Sequence, residues 1–600
     1  MDTRASPNAV VHGLDLAAVA LGPGFWADRV RASREGGIPR LLERLDEHGV
    51  LANFDPGAAH RGFWFTDSDL YKWLEGAAWS VGSHPDPELA ARIDAVVGRI
   101  AAAAEPDGYL DTGIMQADRR FADLSWSHEL YCLGHLVQAA LALSRSIGDD
   151  RLVRVAARFA DLVDATLGPD SGRTDTDLHP GVETALVELA RHTGNDRYRR
   201  LARELVDRVE LGEPVELRGH AVRAAYFASG IADLLLDGDT ARRDTLDALW
   251  ASMVERKAYV TGGLGGRWIG ESVGRDYELP AEGAYAETCA AIAVVHWAWR
   301  MLQLTGDSVY TDHLELVLHN AFLAGVSLGG DEWFYANPLT ASGAGDHDPW
   351  DNDRLAIAMA GPFPLARRPW RDVTCCPPNV VRMLASLPGY LAGESTDALW
   401  IHLYTPSIVE AAGMRVRVDT GLPWSGTVTV TVEAVPAGAR TLRLRVPEWA
   451  RGATLDGAPV DPGYASVTRG FVPDEAVTLE LPVVPGWVVA HPRLAETRGA
   501  VALRLGPLVY CLESVDNPGV DVLAAAVDPT VEPVVVHRPD LLGGVNVAHV
   551  AGSVLAADAP LYQERTVGRL VRPVNLTAVP YALWANRGPS AMTVWMRAVS

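Results

Sequence analysis

The pattern of apolar and polar positions changes once along the chain, near residue 400. Before that point apolar residues recur at helical spacing, as in Leu130–Ile147. From about Met414 they alternate with period two. Thr427–Val432, Thr441–Val446 and Val477–Leu481 read as strands, with Pro and Gly between such runs about every ten residues. The helical part carries a repeated turn at Gly148-Asp149, Gly194-Asn195, Gly238-Asp239 and Gly306-Asp307. Gly ends a helix by turning left-handed, and the Asp or Asn after it caps the next one. The turn returns about every 45 residues, with one longer interval, which predicts helix pairs packed side by side in a solenoid or a closed α/α barrel. The longer interval holds a Gly-rich segment, Thr261–Glu271, and long loops on a rigid scaffold are where function tends to sit. The alternating part predicts two small antiparallel sandwiches divided near residue 498, with packing or assembly roles.

Composition narrows the function. A chain of 600 residues is too long for one core and fits about three domains. With 48% hydrophobic and 22% charged residues it is ordinary globular protein. A net charge of −23 repels phosphate backbones, which excludes nucleic acid as a partner. Lys72 and Lys257 are the only lysines, and the dispersed arginines read as genomic base bias. No apolar run approaches about 18 residues, so no membrane span is expected. Asp2, Arg4, His12 and Asp15 interrupt Met1–Pro23, so no signal peptide is expected and a cytoplasmic location is. Five cysteines do not make a disulfide scaffold in so long a chain.

Two segments carry candidate chemistry: Gly270-Glu271 through Glu287-Thr288-Cys289, and Cys375-Cys376-Pro377-Pro378-Asn379. Adjacent cysteines rarely bridge each other, but two neighbouring thiolates can share a soft divalent ion. Pro377 and Pro378 stiffen the backbone and bias Cys376 towards an extended conformation. Glu287 and Cys289 would point about 200° apart on a regular helix, so they face one ion only where the chain is extended or irregular. Together they make a three-sulfur, one-carboxylate set suited to tetrahedral zinc; the competing reading is buried reduced cysteines. Cys132 and Cys511 have no such partners and read as core. Glu271 in its loop is either a solvated acid or a general acid/base. His135, His179 and His220 open or line successive helices, and are either core groups or a ring around one pocket.

These segments belong to a wider match: Phe65–Leu74, Asp107–Leu110, His128–His135, Gly219–Arg223, Tyr277–Pro280, Ala284–Ala290, Asn320–Leu328, Phe334–Pro338, Cys375–Asn379, Leu387–Tyr390, Pro447–Ala450 and Gly506–Cys511. Through them the chain, from about Gly24 onward, resembles glycoside hydrolase family 127, whose founding activity is β-L-arabinofuranosidase. The resemblance implies a multidomain α+β protein. Residues 1–23 form an N-terminal segment expected to pack on a sandwich, 24–405 an (α/α)6 barrel, 406–497 a middle β-sandwich and 498–600 a C-terminal β-sandwich. It implies Zn2+ held by Glu287, Cys289, Cys375 and Cys376, with Cys375 as the nucleophile of a retaining exo-glycosidase and Glu271 as acid/base. His135, His179, His220 and Tyr335 match the positions placed around the sugar. A thiolate replaces the usual second carboxylate of retaining hydrolysis, and Glu271 is expected to have a raised pKa to protonate the leaving oxygen. The partner implied is a short oligosaccharide or glycoside carrying β-L-arabinofuranose or a related sugar. A homodimer is left open, with nothing in the sequence that fixes an interface.

The chain departs from the family pattern at Leu41, where a pocket Gln is usual, at Ser272-Val273 and at Ala281-Glu282. These changes leave the reaction type alone and bear on which sugar is preferred. Two rival readings remain: a sugar isomerase or epimerase on an α/α barrel, and a non-catalytic carbohydrate-binding protein with a structural zinc.

Overall fold

The protein is described by a computed structural model that covers residues 3–114, 119–342, 366–396, 398–555, 562 and 571–599. The principal helices are α1 (Phe25–Ala32), α2 (Ile38–Glu47), α3 (Asp67–Ser83), α4 (Pro87–Ala103), α5 (Glu129–Ile147), α6 (Arg151–Leu167) and α7 (Val182–Thr193). They continue with α8 (Asp196–Asp207), α9 (Ala221–Leu236), α10 (Arg243–Arg256), α11 (Thr288–Thr305), α12 (Ser308–Val317) and α13 (Cys376–Ser386). Three of the four repeated turns end a helix as the sequence predicts; at the fourth, α9 ends on Asp237, one residue before Gly238, and Asp239 does not cap α10. Gly148, Gly194 and Gly306 end α5, α7 and α11 at positive φ. Asn195 and Asp307 cap the helices that follow by accepting from Arg197 N and Val309 N.

Helix α3 packs on α5, α5 on α7, α7 on α9, α9 on α11, α11 on α13, and α13 back on α3. The even-numbered helices lie against these: α4 on α3, α6 on α5, α8 on α7, α10 on α9 and α12 on α11. The two sets differ as their sequences require. Helix α11 is buried nearly all round, Thr288 through Leu304, whereas α8 buries only Tyr198, Leu201, Ala202, Leu205 and Val206.

Among the described residues three sheets follow, of five, seven and ten strands. Pairing begins earlier than the alternation suggests, with Ala392–Ser395 against Ala398–Ile401 in the first sheet and Pro485–Val489 in the third. The N-terminal segment joins the first two: His12–Gly13 pairs with Ala392–Ser395, and Val19–Leu21 with Ser407–Ala411. In the third sheet, strand Leu508–Glu513 is buried on both faces. Leu508, Tyr510 and Leu512 enter one apolar cluster, while Val509 and Cys511 enter another with Phe334 and Leu339 of the helical half. Asn320 ties the two halves, donating to Pro507 O and accepting from Val509 N. Among the described residues no helix is long and apolar enough to cross a membrane.

Candidate active site

Four of the interior helices begin at a residue with candidate chemistry. His128 precedes the first turn of α5, His220 that of α9, Glu287 that of α11 and Cys375 that of α13. His179 lies three residues before α7. Helix N-termini present unpaired N–H groups and the positive end of the dipole, an environment that favours anionic side chains.

The cysteines and one acid meet at two of these termini. Glu287 is extended (φ −63°, ψ 138°) just before the helix that holds Cys289, which supplies the irregularity their spacing demands. Cys376 differs from expectation: it is the first residue of α13, not extended. Prolines in the first helical turn lack N–H groups that would have no intrahelical partner anyway, so Pro377 and Pro378 start the helix instead of delaying it. Cys289 Sγ and Cys376 Sγ are 3.2 Å apart, Cys375 Sγ and Cys376 Sγ 3.9 Å, and Glu287 Oε1 lies 3.7 Å from Cys375 Sγ and 3.8 Å from Cys376 Sγ. All four ligand atoms lie within 4.8 Å of one another.

That donor set fits a metal ion on two counts. Tetrahedral ligands at zinc's usual bond lengths sit about 3.6–3.8 Å apart, near the spacings seen. Burial and the nearby Cys375 also push Glu287 well above the carboxylate range. The Cys376 thiol is pushed up by burial, and that of Cys375 by its bond to Cys289. Cys289 falls to about 6, because hydrogen bonds from Cys375 and Cys376 outweigh its burial. Four acidic groups in so small a buried space ionise together only beside a cation.

Glu271 stands next to this cluster. It follows Gly270, and both are left-handed (φ 49° and 67°), the kind of strain that sites retain. A short bridge between Ser272 and His220 holds the loop. Glu271 Oε2 lies 2.6 Å from His220 Nε2, and its Oε1 accepts from the hydroxyls of Tyr285 and Tyr335, each at 2.8 Å. His220 Nδ1 accepts from Val222 N, which leaves Nε2 to donate to Glu271. Burial raises the Glu271 pKa, but His220 and the two tyrosines outweigh it and hold the carboxyl at about 2. The raised value expected for this acid is therefore absent in the resting site. The Tyr285 hydroxyl also lies 3.1 Å from Glu287 Oε2, so it spans the acid and the thiol cluster.

The predicted site residues fall unequally. Glu271, His220 and Tyr335 meet directly. His179 lies beside His220, with ring centroids 6.3 Å apart, and accepts from Arg223, so it is neutral; burial depresses it strongly. His135 lies deeper, its ring centroid 4.6 Å from that of Tyr131, which in turn packs beside His128 and His179. It sits two turns further along α5 beside Gln138, Thr184 and His296. His128 lies nearer the acid, with its ring centroid 3.2 Å from that of His179 and its pKa lowered by burial to about 4. Leu41 is fully buried in the apolar core. The sequence reading also missed Tyr285, Tyr131 and Lys72. Lys72 is completely buried, 3.0 Å from Asp69 Oδ1 and 3.4 Å from Tyr131 Oη. Burial alone would discharge it, but Tyr131, Asp69, Cys375 and Cys289 keep it charged. The one signal available was that it is one of two lysines in the chain. Cys132 and Cys511 are isolated and fully buried.

An acid, a buried thiol and carboxylate cluster that could hold a metal ion, and the histidines and tyrosines beside them make up one polar site. Comparison with known proteins identifies it: the family models "Beta-L-arabinofuranosidase, GH127 catalytic domain", its middle domain and the "Glycoside hydrolase family 127 C-terminal domain" match residues 18–389, 398–483 and 485–597. The chain belongs to glycoside hydrolase family 127 and is a glycoside hydrolase, which removes the isomerase and binding-protein readings. It is 35% identical to the non-reducing end β-L-arabinofuranosidase of Bifidobacterium longum subsp. longum, over 89% of each chain. It is similar to the crystal structure of a GH127 β-L-arabinofuranosidase from Geobacillus stearothermophilus T6, with a TM-score of 0.89, 33% identity and coverage of 97% and 100%. A second GH127 β-arabinofuranosidase structure matches at TM-score 0.88 and 30% identity, covering 99% of this chain and 98% of that one.

Proposed function

We propose that the protein is a retaining, zinc-dependent exo-β-L-arabinofuranosidase acting on short oligosaccharides, built on an (α/α)6 barrel. The observation that carries this is the joining of two sites through one hydroxyl: Tyr285 touches both Glu271 and Glu287, and Glu287 touches Cys375. The closed order of interior helices supports the barrel. The relatives' names supply the sugar.

In this reading Glu287, Cys289, Cys375 and Cys376 hold the zinc, which keeps the thiols ionised. Cys375 is the partly exposed member of the set and the one that attacks the anomeric carbon. The bond to the leaving oxygen breaks as Glu271 delivers a proton to that oxygen. Water then attacks the same carbon, Glu271 takes its proton, and the carbon–sulfur bond breaks to return the thiolate. For the first step Glu271 must be protonated. A sugar that draws off the hydroxyl of Tyr335 or the ring of His220 leaves burial to dominate and raises the acid. His128, His179 and His220 line the sugar pocket. The five free cysteines support a reducing, cytoplasmic setting and imported fragments as substrate.

The test is release of 4-nitrophenol from the β-L-arabinofuranoside, beside the α-L-arabinofuranoside, β-D-galactofuranoside and β-L-arabinopyranoside. Selective turnover of the first is expected. Turnover of another and not of the first by folded, zinc-loaded protein would move the substrate elsewhere.

A further inference from the structure

Beneath the thiol cluster lies a buried polar string that neither the metal set nor the acid uses. Asn379, one turn into α13, is fully buried. Its Nδ2 donates to Cys289 Sγ at 3.1 Å, and its Oδ1 accepts from Arg382 Nε at 2.7 Å. Arginine only donates, so this contact fixes the amide with its oxygen towards Arg382 and its NH2 towards the sulfur. Arg382 is itself buried and held on three sides. It donates to Glu75 Oε2 at 2.9 Å, Gln138 Oε1 at 2.8 Å and Tyr226 Oη at 3.0 Å. Those partners come from α3, α5 and α9, so four interior helices clamp the guanidinium. Among the described residues, Asn379 is the one N–H donor to a sulfur of the cluster. Cys375 meets Glu287, Cys376 and Cys289 itself, and among the described residues no N–H group donates to it.

We propose that Asn379, locked by Arg382, is a positioning residue that makes the three sulfurs unequal: it fixes Cys289 as the standing ligand and leaves Cys375 as the one that reacts. An N–H group bonded to a thiolate stabilises its charge, fixes its rotamer and weakens it as a nucleophile. The guanidinium behind the amide polarises it and strengthens that bond. A sulfur without such a donor keeps more electron density for attack. This inference rests on the proposed zinc and cysteine chemistry.

Asn379→Asp tests it with little change of shape, because the carboxylate keeps the contact to Arg382 while the donor to sulfur is lost. Asn379→Leu removes the donor without adding charge. In either folded variant, zinc should pass to a chelator about 10–100-fold faster than from wild type. With cobalt in place of zinc, the sulfur-to-metal charge-transfer band should move to lower energy, a shift that loss of packing alone would not cause. Wild-type metal retention and an unshifted band in the folded variants would overturn the proposal. Failure of wild type to bind either metal, or full turnover by Cys375→Ser, would overturn the underlying chemistry instead.

Discussion

Glu271 and Glu287 share the hydroxyl of Tyr285 yet are driven in opposite directions. Burial raises both. Glu271 has His220, Tyr285 and Tyr335 donating to it and ends at about 2. Glu287 faces Cys375 and Glu271, which repel its charge, and ends well above its ordinary value. Neighbours, not depth, decide the outcome. One acid is kept ionised by donors the chain supplies, and the other lies in the group that could hold a metal ion, the zinc of the proposed mechanism.

Removing that cation should have the largest effect. Chelation of the metal, or Cys289→Ala, should abolish measurable turnover, with metal content by elemental analysis falling in step; turnover that survives complete metal loss would break the contrast. Glu271→Gln should come next, lowering kcat by about 10²–10⁴-fold with zinc content unchanged. A smaller effect should appear in stability against pH. Glu271 drops from an ordinary 4.5 to about 2 on folding, so it stabilises the fold above pH 4.5 and that contribution is lost as the pH falls towards 2. The acid-side fall in Tm should therefore be shallower in Glu271→Gln than in wild type. The smallest effect belongs to a thiol outside the cluster. Cys511→Ala should cost about 1 kcal/mol by denaturant unfolding and leave kcat unchanged.

Much of this architecture is legible along the chain. A Gly that turns left-handed ends three of the interior helices, at Gly148, Gly194 and Gly306, and Asn195 and Asp307 cap the helices that follow the last two. The metal set is legible because four soft or acidic residues fall into two short segments. The histidines show where periodicity stops. His128 and His135 are seven residues apart, two helical turns, so any pattern puts them on one face. Only the start of α5 at Glu129 puts His128 at the mouth and His135 about 10 Å further in. No local pattern singles out Lys72 or Tyr285, and tertiary contacts alone give them their roles. The depressed Glu271 was illegible for the same reason: its donors lie 51, 14 and 64 residues away.

The most direct test of the central claim is turnover of 4-nitrophenyl β-L-arabinofuranoside by Cys375→Ser protein whose zinc content equals that of wild type. A fall of at least about 10³-fold is the result predicted for loss of the attacking sulfur. Wild-type turnover by the fully metallated variant would contradict it.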